Sequence, residues 1–451
     1  MFKRLICVLT FAFPPVFASG HLEHSELPIL RANSKIMDVH DGDRLHKGDW
    51  SADPSIPLDE FVVPRSAEPR TVTFFTDVEA KSFVIAPGGV TDFIILLNGT
   101  DQCRTRISMR AMSARRSDGT PTGSVTIPIT FRKGKPHIEG RINGSQSLNL
   151  LFDTGANTTA VYPSARDKGV TLAFDGSLAN AGTGGSVTRQ TSSDNRLDVG
   201  GLYWEHESVL SIEKQADDAD GIVGYNVFED KVVELDNDRM VIVIHDSLPE
   251  HAAAYTRVDM PFIASLTAVE GSLVNGSVRA TGPMVIDTGG NGTLIVNRPF
   301  IEQNGLRAGL QLIGSSRSGG VGPAQIRNEV VRAPGLEIAG FTLPDVPVNV
   351  PVSDDAARVA AVATETPRGL LCMDVLSRFN MFFDYRRNQA YFKPNTRFVG
   401  PFKDRTSGPP VGMTLAVIAG VLGASFVAVK TIRGRRQRRA GLVMTSKPGP
   451  A

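Results

Sequence analysis

"LLFDTGANTTAVYP" runs from Leu150 to Pro163. It ends an apolar strand on a lone carboxylate, Asp153, followed at once by Thr154 and Gly155. Burying an ionised carboxylate is costly unless something compensates it. A second copy of the stretch can do so. "MVIDTGGNGTLIVN", Met284 to Asn297, carries Asp287, Thr288 and Gly289 in the same order.

The repeat extends outward from both copies. Each is followed by a helix-like run ending on glycine and an aliphatic residue, Gly169-Val170 and Gly305-Leu306. Each half then has a glycine-rich stretch, "AGTGGSV" with Gly182, Gly184 and Gly185, and "GSSRSGGVG" with Gly319 and Gly320. Alternating strand patterns follow. "RLDVGGLYWEHESVLSI" matches "GLEIAGFTLPDVPVNV" in rhythm. Each half closes with glycine, two aliphatic residues, a short helix and a hairpin: Gly221 to Val243, and Gly369 to Phe392. These ordered correspondences predict two related β-rich lobes, over residues 121–248 and 257–396, joined by "HDSLPEHAAAY". Residues 21–120 stand apart. Alternation with turn signals at Pro87-Gly88-Gly89 and Asn98-Gly99 predicts a small antiparallel sheet there, an accessory β-rich region with no sign of chemistry.

Two carboxylates within a few ångström share a proton, because one pKa rises and the other falls. The ionised member can take a proton from water while the protonated member donates to a carbonyl oxygen. Gly155 and Gly289 are expected to allow a tight turn with positive φ and a close backbone approach. Thr154 and Thr288 offer hydroxyls that can tie the two loops together.

Asp-Thr-Gly-Ala, followed later by two aliphatic residues and glycine, resembles the pattern of the retropepsin-like aspartic proteases. The resemblance covers both lobes, from about Pro121 to Pro394. It implies a mainly β, bilobal pseudo-dimer with a cleft between the lobes, Asp153 and Asp287 as the catalytic dyad, water as the nucleophile and a peptide or protein as substrate. The glycine-rich stretches match the position of flaps. Both halves have one, as in the retroviral dimer. Ala156 and Gly290 stand where pepsins usually carry Ser or Thr, which also favours the retropepsin side. One departure is Cys372, in the loop behind the dyad, where lobe one has Gly224. Its side chain is expected to be buried, with the loop adjusted around it. A peptide-binding module without catalysis is the alternative reading, and self-cleavage near either end is a third.

The two ends suggest export. Lys3 and Arg4, an apolar run from Leu5 to Phe13 and small residues before Gly20 have the order of a signal peptide over residues 1–20. Residues 411–429 hold no charge and are about long enough to span a bilayer. The basic run "KTIRGRRQRR" follows, which predicts a transmembrane helix over 409–430, a cytoplasmic tail over 431–451 and a body outside the cytoplasm. Cleavage of this end as a sorting signal stays open. Without the nine basic residues of the two ends, the body has 39 basic and 47 acidic residues, a charge of −8. That argues against nucleic acid as a partner. No Cys/His cluster has zinc-site spacing and there is no phosphate-binding Gly-Lys-Ser/Thr loop, so neither metal nor cofactor is implied. Asp217, Asp218 and Asp220 lack the spacing of a calcium loop. Cys103 and Cys372 are too few for a disulfide framework.

Overall fold

The computed structural model describes residues 27–407, apart from 42–43, 57, 67, 111–114, 117–122, 183–184, 216–217, 264–265, 322–324 and 353–367. The expected signal peptide, transmembrane helix and basic tail lie outside these residues, as does Gly184. Among the described residues no helix is long and apolar enough to cross a membrane.

The chain is mainly β. The N-terminal region forms two four-stranded sheets rather than one. Alternating burial along Val90–Leu97 and Asp101–Met109 places Phe93, Ile95 and Ile107 inward. They pack with Phe74, Phe83 and Trp50 of the other sheet. The Asn98-Gly99 turn forms as read, both residues having positive φ, and joins those two strands. The antiparallel expectation holds only in part. Ile29–Ala32 pairs parallel to Val90–Leu97, and Asp59–Val63 pairs parallel to Asp101–Met109. Alternation fixes which face of a strand is buried, not the direction of its neighbour.

Each lobe of the repeat is a sheet of the same order. In lobe one it runs Thr130–Arg132, Lys135–Ile142, Leu148–Asp153, Gly221–Gly224, Thr159–Val161, Leu202–Ser211, Gly185–Val199, Gly176–Gly182. Lobe two repeats it from Phe262–Ile263 through Leu266–Asn275, Val278–Ile286, Gly369–Leu371, Leu294–Val296, Phe341–Pro351 and Ile326–Ile338 to Gln311–Ser318. In both, the strand leading to the aspartate lies parallel to the late glycine strand: Asp153 pairs with Gly224, and Ile286 with Leu371. The helix-like runs form short helices at Pro163–Asp167 and Arg298–Gln303. Gly169 and Gly305, which end them, have the positive φ that a helix stop needs.

A six-stranded sheet joins the lobes. Its two central strands, Val232–Asp236 and Phe379–Asp384, come one from each lobe and pair antiparallel. These are the closing hairpins of the repeat. One apolar core runs continuously through both lobes and this sheet, from Phe152 and Val223 to Ile286, Leu371 and Phe383. The two aspartate turns are therefore held against each other by shared packing.

Candidate active site

Leu148–Asp153 runs through the buried residues Leu150, Leu151 and Phe152, Val278–Ile286 ends on the buried run Met284, Val285 and Ile286, and the two emerge at the same place between the lobes. Asp153 and Asp287 are both half-buried there. Thr154 and Thr288 are fully buried and join the turns reciprocally. The Thr154 N–H donates to Thr288 Oγ1 at 2.9 Å, and the Thr288 N–H to Thr154 Oγ1 at 3.1 Å. Each hydroxyl then donates across to the other lobe: Thr154 to the Ile286 carbonyl at 2.8 Å, Thr288 to the Phe152 carbonyl at 2.7 Å. Four buried hydrogen bonds leave each loop little freedom without the other.

The glycines follow the sequence reading in part: the close approach is present, the positive φ is not. Neither Gly155 nor Gly289 has positive φ. Their requirement is space. A Cβ on Gly155 would lie 2.8 Å from Asp287 Oδ1 and 3.2 Å from Asp153 Oδ1. A Cβ on Gly289 would overlap the Asp153 carboxylate. Each glycine faces the other lobe's aspartate, which places the two carboxyl groups together. The Gly155 N–H donates to Asp153 Oδ1 at 2.8 Å. In lobe two the corresponding bond to Asp287 Oδ1, at 2.9 Å, comes one residue later, from Gly290.

Burial raises the pKa of both aspartates. For Asp287, burial and then the neighbouring Asp153 charge push it up to about 8. For Asp153 the rise from burial is opposed by the Gly155 N–H, by the charge of Lys135 and by a hydrogen bond with Asp287. A pair of this kind carries one proton over a wide pH range.

Cys372 is buried and free, as is Cys103. Contrary to the sequence reading, the loop does not shift to admit the thiol; two glycines opposite it make the room. In lobe one a Cβ on Gly224 would lie 2.5 Å from the Ala156 carbonyl oxygen and 2.6 Å from that of Thr158. In lobe two Gly290 and Gly292 stand in place of Ala156 and Thr158. The Tyr225 N–H bonds the Ala156 carbonyl at 3.0 Å, and its counterpart, the Met373 N–H, bonds that of Gly290 at 2.9 Å. The backbone path is preserved while the side chain moves from one side of the contact to the other.

The glycine-rich stretches end two hairpins. Gly182 pairs with Gly185 at the end of the first. Gly319 and Gly320 follow the outer strand of the second, Gln311–Ser318. Asp220, from the acidic run, is bound by Lys168 at 2.6 Å, Ser164 at 2.8 Å and the Asn149 N–H at 2.7 Å, which makes it a structural tie. Sequence reading passed over Lys135, a buried lysine one hairpin away from Asp153. Counting back from Asp153 through the Asn143-Gly144 turn would have found it.

A family model described as aspartyl protease matches residues 138–227, the part of lobe one that contains the first aspartate turn and its glycine partner. Over that segment the chain is similar to aspartyl proteases. Among solved structures, the chain aligns with an aspartic proteinase from Irpex lacteus at 14% identity and a TM-score of 0.44, over 61% of this chain and 98% of that one. A search of curated proteins returns no match.

Proposed function

We propose that the protein is an endopeptidase that hydrolyses peptide bonds with water activated between Asp153 and Asp287. The observation that carries this reading is the reciprocal threonine tie, which fixes two half-buried carboxyl groups on facing turns. The ionised carboxyl takes a proton from water as the water oxygen adds to the peptide carbonyl carbon. The protonated carboxyl gives its proton to the carbonyl oxygen. Collapse of that adduct breaks the C–N bond: the departing nitrogen takes a proton from the pair, and one adduct hydroxyl returns its proton to the pair as the new carboxyl forms. The hairpins ending at Gly182–Gly185 and Ser318 are suited to close over an extended peptide. The peptide-binding alternative would be favoured by a displaced second loop, whereas the loop carrying Cys372 keeps its backbone hydrogen bonds.

Export and membrane anchoring are further parts of the proposal, supported by the terminal sequences. The last described stretch lies along lobe two. Arg378 donates to the carbonyls of Arg397 and Phe398 and stacks on Phe402, and Arg405 pairs with Asp374. The Ser407 N–H then bonds the Ser315 carbonyl on the outer strand of the second flap. An anchor starting a few residues further on would hold the enzyme close to the membrane.

The test is incubation of the detergent-solubilised chain with a mixed peptide library from acidic to neutral pH, with and without pepstatin. Cuts that pepstatin and Asp153→Asn both abolish support an aspartic endopeptidase. Folded protein that retains peptides without cutting them at any pH supports the binding module instead.

A further inference from the structure

The two halves of the dyad are not equivalent, and the difference lies one strand away from each aspartate. In lobe one, Lys135–Ile142 pairs antiparallel with Leu148–Asp153 in the register His137 to Leu151. Continued by two residues, that register sets Lys135 opposite Asp153. In lobe two, Leu266–Asn275 pairs with Val278–Ile286 in the register Ala268 to Val285. The same continuation sets Leu266 opposite Asp287. Directly opposed residues of an antiparallel pair share a face, with Cβ atoms about 5 Å apart. The pseudo-symmetry of the lobes thus puts a lysine where its counterpart has a leucine.

Lys135 is a buried lysine, 7% exposed. Its ladder partner on the outer side, Arg132, is exposed, and the matching residue in lobe two is Ile263. The groups that face Asp153 are the Asp287 carboxyl, the N–H groups of Gly155 and Gly289, and the Lys135 ammonium. Those that face Asp287 are the Asp153 carboxyl, the N–H groups of Gly289 and Gly290, and the buried thiol of Cys372. The two backbone environments nearly match, and the only full positive charge in either set is Lys135.

We propose that Lys135 is a positioning residue that holds the negative charge of the pair on Asp153 and leaves the shared proton on Asp287. The lobes then have fixed parts in the proposed reaction. Asp153 takes the proton from water, and Asp287 gives its proton to the substrate carbonyl oxygen. The catalytic consequence rests on the endopeptidase reading; the charge placement does not.

The test is a carboxyl titration of the full chain labelled with carbon-13 at the aspartate side-chain carboxyl, with D153N and D287N assigning the two signals. Lys135→Met is expected to raise the titration of Asp153 by about one unit or more, as loss of a close opposite charge does. Lys135→Arg is expected to leave it in place. Leu266→Lys, which gives lobe two the same cation, is expected to lower the titration of Asp287. Where cleavage is measured, Lys135→Met moves the acid limb of the pH–rate profile upward, a loss of about tenfold per unit on that limb. Unmoved signals in folded Lys135→Met overturn the inference. Should that variant not fold, Leu266→Lys decides: a downward shift of Asp287 supports it and an unmoved signal overturns it. Because the titration needs no turnover, signals that shift in a chain that cuts nothing overturn the endopeptidase reading and leave the charge placement standing.

Discussion

Cys372 and Gly290 occupy, between them, the space that Gly224 and Ala156 share in lobe one. A Cβ on Gly290 would lie 2.6 Å from Cys372 Sγ and 2.8 Å from Asp287 Oδ2. Gly290→Ala alone is therefore expected to push the thiol against the Asp287 loop and, on the endopeptidase reading, to lower kcat at least about tenfold, an effect of roughly 1.4 kcal/mol. Adding Cys372→Gly restores the pairing of lobe one and is expected to recover most of that loss. Kinetics of the two single variants and the double variant check this as a cycle, since residues in contact do not add. Asp287 gives a second prediction at this scale. Its folded carboxyl is raised to about 8. Between the ordinary carboxylate range and that value, the folded chain holds a proton that the unfolded chain has released. Stability contributed by keeping the group neutral is full below the unfolded pKa and lost as pH rises through the folded one. Activity follows the same proton and is expected to fall through about pH 8. Stability against pH for the wild type and Asp287→Asn checks the first statement, since the variant lacks that part of the slope. At this scale the sequence pointed to both aspartates and both threonines, which the structure brings together on facing turns, because two copies of one motif specify one another. It foresaw a close approach at Gly155 and Gly289 but gave them a positive φ that they lack, because the atoms that require glycine there belong mainly to the opposite lobe and have no local signature.

The sheet between the lobes depends on a buried carboxylate as well as on apolar packing. Glu234, on Val232–Asp236, is 4% exposed and meets His245 Nε2 at 2.9 Å and His251 Nε2 at 3.3 Å. Burial alone would raise its pKa, but hydrogen bonds with the two histidines outweigh burial and hold it below its usual value. His245 lies on the neighbouring strand and His251 in the short 3-10 helix Glu250–Ala254 of the connection between the lobes. The carboxylate therefore ties the connection to the sheet. Because its folded pKa is depressed, its contribution is present above the unfolded value and lost as pH falls through the folded one. Glu234→Gln is expected to lower Tm by a few degrees at neutral pH and to match the wild type in strong acid, which thermal melts across pH would show. That the two lobes share one architecture followed from the repeat, and so did the two closing hairpins. What the repeat did not disclose was that those hairpins leave their own lobes and pair with each other. Val232–Asp236 is buried at all its positions, with no alternation to show which partners cover its faces.

At the scale of the whole molecule, the N-terminal sheets are joined to lobe one by buried charge. The Arg65 N–H donates to Glu229 at 3.0 Å and its guanidinium pairs with Glu207, while Arg110 approaches Glu229 at 3.6 Å. Glu229 directly follows the turn Tyr225–Phe228, which begins at Gly224 behind Asp153. Removing one member of a buried pair strands the other, at a cost of about 3–5 kcal/mol. Arg65→Ala is expected to destabilise the chain by that order in urea denaturation. Glu207→Gln with Arg65→Met is expected to cost less than the single change. The sequence separated this region from the lobes by its lack of the repeat, and placed no contact across the boundary, since single arginines and glutamates far apart carry no pattern. The central claim concerns the lobes together: the two carboxyls act as one unit. Measurement of peptide cleavage for Asp153→Asn, Asp287→Asn and the double variant tests it most directly. If the carboxyls share one proton, each single change removes nearly all the activity and the second change removes almost nothing more. Two partial losses that multiply in the double variant, or full activity in either single one, would contradict it.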